Sequence, residues 1–67
     1  MKTIKSKGNP KMMAAVMVRN TDGFKVNDDV KLESSDNGGG PAIRKISRIV
    51  DAGDGIWSTI EFYAYPS

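Results

Sequence analysis

Phe24-Lys25-Val26-Asn27-Asp28-Asp29-Val30-Lys31-Leu32 sets Phe24, Val26, Val30 and Leu32 in one phase of a period-two pattern, and Asn27, Asp28 and Asp29 interrupt it. That is the pattern of a turn leading into a strand. A second strand is legible from Ile56 to Tyr65, where the even positions Ile56, Ile60, Phe62 and Ala64 are apolar and Thr59 and Glu61 sit between them. The odd face of that strand is not simply polar, because it also carries Trp57, Tyr63 and Tyr65.

The segments on either side are ambiguous by propensity. Met12 to Arg19 reads as a helix begun by Asn9 and Pro10, or as a buried strand that ends at the Asn20-Thr21-Asp22-Gly23 turn. Pro41 to Ala52 has Ile43, Ile46, Ile49 and Val50 at helical spacing. The same three isoleucines and valine favour a strand, and the turn Asp51-Ala52-Gly53-Asp54-Gly55 would join it to Ile56 as a hairpin. Between the two legible strands lies the loop Asp36-Asn37-Gly38-Gly39-Gly40-Pro41. A glycine-rich loop that cradles phosphate is followed by Lys-Ser/Thr or has dinucleotide spacing ahead of a helix, and this loop has neither.

The phrase from Phe24 to Leu32, followed by Gly39-Gly40-Pro41-Ala42-Ile43 and an aromatic-containing strand, resembles small bacterial SH3-like barrel proteins of the YodC type, and more loosely KOW-type barrels. In such proteins F-x-V-G-D-x-V-x-L makes the first barrel strand and G-G-P leads the next. The resemblance spans about half the chain. It implies a compact barrel used for protein or nucleic-acid contacts, with no enzymatic residues to carry over. Asn27 stands where the phrase has glycine, a tolerable exchange because Asn enters the left-handed region more readily than other non-glycine residues. Lys45 falls where the alternation after G-G-P wants an apolar residue, which points to a bulge or a helical stretch. The expected fold is therefore mostly β, a small SH3-like barrel, with a small α+β domain as the alternative.

Composition bounds the function. The chain has 67 residues, enough for one domain, with no cysteine and no histidine. That removes disulfides, thiolate zinc sites, the cysteine nucleophile and the usual general base. It also favours a reducing compartment, and the expected location is cytoplasmic. Met12 to Val18 is an apolar run behind lysines, but it is short and ends in Arg19 without a small-residue cleavage site, unlike a signal peptide. No stretch approaches the ~20 apolar residues of a membrane span. Lys2, Lys5, Lys7 and Lys11 precede any acid, so the net charge of +2 belongs to the N-terminal segment. Residues 1–9 read as a flexible basic tail, and residues 10–67 as the barrel.

The acids are the only catalytic material, and they read as turn residues. Asp28 and Asp29 are adjacent and point to opposite sides of a strand, while Asp51 and Asp54 lie in a turn. No catalytic residue, metal site or cofactor is expected. Met12, Met13 and Met17 read as core, or else as an adaptable apolar contact surface. Trp57, Tyr63 and Tyr65 share a face opposite the core-facing residues and form a candidate partner-binding surface, or are covered by another segment. Arg44 and Arg48, four apart, share a face in either a helix or a strand and join that surface. The expected function is a non-enzymatic binding module, a protein-interaction or regulatory and inhibitory protein with a protein partner. The alternative is a nucleic-acid-binding accessory protein that touches phosphates through Lys2, Lys5, Lys7 and Lys11.

Overall fold

In the computed structural model, which describes residues 1–36 and 38–65, the longest strand runs over Ala42–Asp51 and organises the sheet. In chain order the strands are β1 (Lys2–Ser6), β2 (Ala15–Arg19), β3 (Asp29–Ser34), β4 (Ala42–Asp51) and β5 (Trp57–Phe62), with a short 3-10 turn at Asn20–Asp22. They form one sheet in the order β1-β3-β4-β5-β2. The pairings β3 with β4, β4 with β5 and β5 with β2 are antiparallel, and β1 lies parallel to β3. The sheet curls into a nearly closed barrel, consistent with a small SH3-like barrel. Each ambiguous segment contributes a strand, Ala15–Arg19 and Ala42–Asp51, and the α+β alternative falls away.

β4 can serve two halves of the barrel because its first part pairs with β3, from Ala42 opposite Leu32 to Lys45 opposite Asp29, and its second part pairs with β5. The change comes at a bulge. Ile46 faces Phe62, Arg48 faces Glu61, and Ser47 is the extra residue, its hydroxyl donating to Glu61 O at 3.2 Å. One extra residue reverses the facing of everything after it. Ala42, Arg44 and Ile46 therefore point inward, while Arg48 and Val50 point outward and Ile49 packs on the core.

The core is drawn from every strand: Ile4 from β1, Val16 and Val18 from β2, Val30 and Leu32 from β3, Ile46 from β4, Ile60 and Phe62 from β5. Leu32, Ile46 and Ile60 are fully enclosed, and Met13, Phe24 and Ile49 close the edges. The methionine expectation is corrected here. Met12 and Met17 are exposed and only Met13 packs, because Met12 lies in the turn before β2 and alternation in β2 gives the interior to Val16 and Val18 in place of Met17. Val26 and Ile56, counted with the apolar phases, are likewise exposed, since both precede the strands they seemed to begin.

The flexible tail expected for residues 1–9 is also corrected. Lys2–Ser6 is β1, in register with Val30 to Ser34. An edge strand needs only one inward apolar residue to anchor it once its backbone is paired, and Ile4 opposite Leu32 supplies that. Low apolar content made the segment look unstructured. The connection that follows is tied down as well: the Asp36 carboxylate accepts from Gly8 N–H, and Asn9 Oδ1 accepts from Lys11 N–H at 3.0 Å. Asn37, expected in the glycine-rich loop, lies outside the described residues.

The turn ahead of β3 has the expected chemistry. Asp28 N–H donates to Lys25 O at 3.1 Å, Lys25 N–H donates back to the Asp28 carboxylate, and Asn27 is the one non-glycine described residue at positive φ, 71°. A positive φ at the third position alone marks a type II turn. Asn27→Gly should leave thermal stability unchanged or slightly raised, and Asn27→Val should cost on the order of 1 kcal/mol or more, because a β-branched side chain is strained in the left-handed region. Thermal melts of both variants check this, and a harmless valine would remove the turn assignment.

Candidate functional site

At the end of the barrel where β5 runs out, alternation carries an arginine into the interior. Arg44 occupies the inward position between Ala42 and Ile46, opposite Val30, and only 3% of its surface is exposed. Its guanidinium takes the place of a missing strand rung. Nη1 donates to Pro10 O at 2.9 Å and to Met13 O at 2.8 Å, and Nη2 donates to Tyr63 O at 2.6 Å. The segment before β2 and the segment after β5 are thereby fastened to one side chain on β4. The Phe62 and Tyr65 rings flank the cation, their centroids 5.3 and 5.8 Å from Cζ.

The electrostatics of this arrangement are unbalanced. Among the described residues the ion pairs are Lys31–Glu33, Lys45–Asp29 and Arg48–Glu61, and none involves Arg44. Burial pushes the Arg44 guanidinium below its ordinary value, with nearby Tyr65 acting the other way. The group nevertheless stays charged, as arginine does in proteins. Its Nε–H is buried and has no hydrogen-bond partner among the described residues. A cation with no counter-ion among the described residues thus sits beneath a groove of about 400 Å³ lined by Lys11, Met12, Met13, Phe62, Ala64 and Tyr65. Large apolar side chains stand exposed at this end: Met12 at 79%, Tyr63 at 46% and Tyr65 at 44%.

The candidate residues read from the sequence are not gathered in one place. Tyr63 and Tyr65 meet Arg44 at this end, whereas Trp57 begins β5 at the other end, half-buried under Arg19, whose Cζ lies 5.5 Å from the ring. The remaining five residues of β5 separate Trp57 from Tyr63. Arg44 and Arg48 do not share a face. The bulge at Ser47 turns Arg48 outward to Glu61, 3.5 Å away, and leaves Arg44 inside. The lysines are similarly dispersed. Lys2 reaches back to Asp22 O and over the Phe24 ring, Lys5 and Lys7 are exposed, and Lys11 lines the Arg44 groove.

Met12 is exposed and not part of the core, and Arg44 is the residue whose structural role the sequence reading missed. The signal for Arg44 was present: Ala42, Arg44 and Ile46 form a two-residue alternation, which puts the arginine on the apolar face. Among the described residues no three acids converge as a metal site would require, and no helix is long and apolar enough to cross a membrane. Compared with protein-family models, with curated proteins and with solved structures, the chain has no match in any of the three.

Removing the arginine leaves three carbonyls short of a donor. Arg44→Met should lower stability by on the order of 2 kcal/mol or more, through unmet hydrogen bonds rather than lost volume. Arg44→Lys should recover only part, because an ammonium lacks the fork that spans two carbonyls while reaching a third. Denaturant melts of the two variants check the order. Equal stability of wild type and Arg44→Met would show that the guanidinium is not the fastener.

Proposed function

We propose that this protein is a non-enzymatic protein-binding module of the cytoplasm, a regulator or inhibitor that docks on a larger partner through the Arg44 end of its barrel. The observation that carries the reading is a groove lined by the exposed Met12 and Tyr65 and floored by a buried cation that has no carboxylate partner among the described residues, with Tyr63 also exposed at that end. Tyrosine gives large contact area at small entropic cost, and methionine adapts to the shape it meets. The cation selects a partner whose apolar anchor is accompanied by negative charge. The left-handed Asn27 in its turn supports the likeness to YodC-type barrels, which forms part of the proposal.

Nucleic acid remains the second reading, favoured by Lys11 and Tyr65 standing at the same groove, where a phosphate and a stacked base would both find a contact. Against it, the other three lysines of the segment do not line that groove.

Partner capture with nuclease-treated extract, identification of the captured protein, and titration of that purified protein provide the test. A folded Tyr63→Ala, Tyr65→Ala double variant should lose on the order of 2 kcal/mol or more of binding, as central aromatic contacts do. Undiminished binding by the folded double variant would remove this face as the site. Capture that vanishes with nuclease, with steeply salt-dependent oligonucleotide binding in its place, would transfer the site to the nucleic-acid reading.

A further inference from the structure

The barrel sheet does not close on itself. β1 and β2 are its terminal strands, and among the described residues no backbone hydrogen bond joins them. The registers identify the main-chain groups left open. Phe62 N–H donates to Ala14 O and Asn20 N–H to Ile56 O, so along β2 the hydrogen-bonded positions are even and Val16 and Val18 turn their N–H and C=O towards β5. Ala15, Met17 and Arg19 turn theirs to the seam. In β1, Ser35 N–H donates to Ser6 O, which assigns Lys2, Ile4 and Ser6 to the parallel ladder with β3. Thr3 and Lys5 face the seam from the other side. Arg19 N–H is already taken by the Asp22 carboxylate at 3.2 Å.

The pairings run β1 and β2 antiparallel to each other across this gap. Its lower part is a groove of about 390 Å³ lined by Ile4, Met17, Val18, Phe24 and Trp57. Met17, in the middle of β2, is 58% exposed. On the two seam strands themselves the outward charges are cationic, while Glu33 of β3 stands in register with Lys5 and Glu61 of β5 with Ala15. Lys5 and Arg19 lie on the outward side of β1 and β2, Lys2 lies over Phe24, and the one acid in the groove lining, Asp22, directs its carboxylate to Arg19 N–H.

We infer that the seam is a strand-addition site, and that its occupant is an extended segment of a partner protein alternating apolar and acidic side chains. Unpaired N–H and C=O groups at Thr3, Lys5, Ala15 and Met17 supply the main-chain bonds, as an exposed sheet edge does for an added strand. One row of the added strand's side chains covers Ile4, Val18 and Phe24. The other row points outward between Lys5 and Arg19, where acids meet cations. The site is separate from the Arg44 groove and does not depend on it.

The test uses a short, acetylated and amidated peptide alternating valine and glutamate, titrated into isotope-labelled protein, with a valine-lysine peptide as control. Amide hydrogen exchange at Thr3, Lys5, Ala15 and Met17 should slow by roughly tenfold or more with the acidic peptide and not with the basic one. Met17→Pro deletes a seam-facing N–H while sparing the β5 ladder, as proline is tolerated on an edge, and should weaken binding roughly five- to tenfold. The exchange measurement on wild type decides the matter even where that variant does not fold. No binding, or binding that leaves those four amides fast, overturns the inference. Protection of the same amides that rises with protein concentration in the absence of peptide also overturns it, assigning the seam to a second copy of the chain.

Discussion

A single buried guanidinium determines how this small barrel ends. Arg44 is nearly enclosed, and its donors reach Pro10 and Met13 on one side and Tyr63 on the other. A hydrophobic residue at that position would leave three main-chain oxygens unmet at a place where no neighbouring strand offers N–H groups. Burying a charge is costly unless hydrogen bonds compensate for the lost water, and here three carbonyls and two aromatic rings do so. Among the described residues the compensation is by dipoles and not by a counter-ion. The positive charge therefore remains available to the groove above it.

The same residue connects the fold to the proposed function. The segment that presents Met12 and the segment that presents Tyr63 and Tyr65 are distant in sequence, and their carbonyls converge on Arg44. Without it, neither segment has a strand ladder to define its course, apart from Phe62 N–H to Ala14 O and Tyr63 N–H to Lys45 O. A contact rim held in this way is ordered before any partner arrives, which reduces the entropic cost of binding. The seam between β1 and β2 stands in contrast, being open in its main-chain groups where the Arg44 end is closed.

Much of the scaffold was legible in the sequence, because alternation and turn chemistry are local. The turn at Asn27, the strand from Val30 onward and the inward set Ile60 and Phe62 follow from residues a few positions apart. What was not legible depends on partners far along the chain. The bulge at Ser47 is set by the way β5 meets β4, and it alone separates Arg44 from Arg48. β1 was illegible because its order comes from β3, some 28 residues later in register, and not from its own composition. The aromatic residues were recognised as outward-facing, but their division between the two ends of β5 required the strand's actual length.

Nuclear magnetic resonance of the Arg44 guanidinium shows whether it donates to Pro10, Met13 and Tyr63 at once. Resolved, slowly exchanging Nη–H signals with hydrogen-bond couplings to the three carbonyl carbons are expected, since rotation about the guanidinium bonds would break the three bonds. A single averaged Nη signal in rapid exchange with water, without those couplings, would contradict that donation.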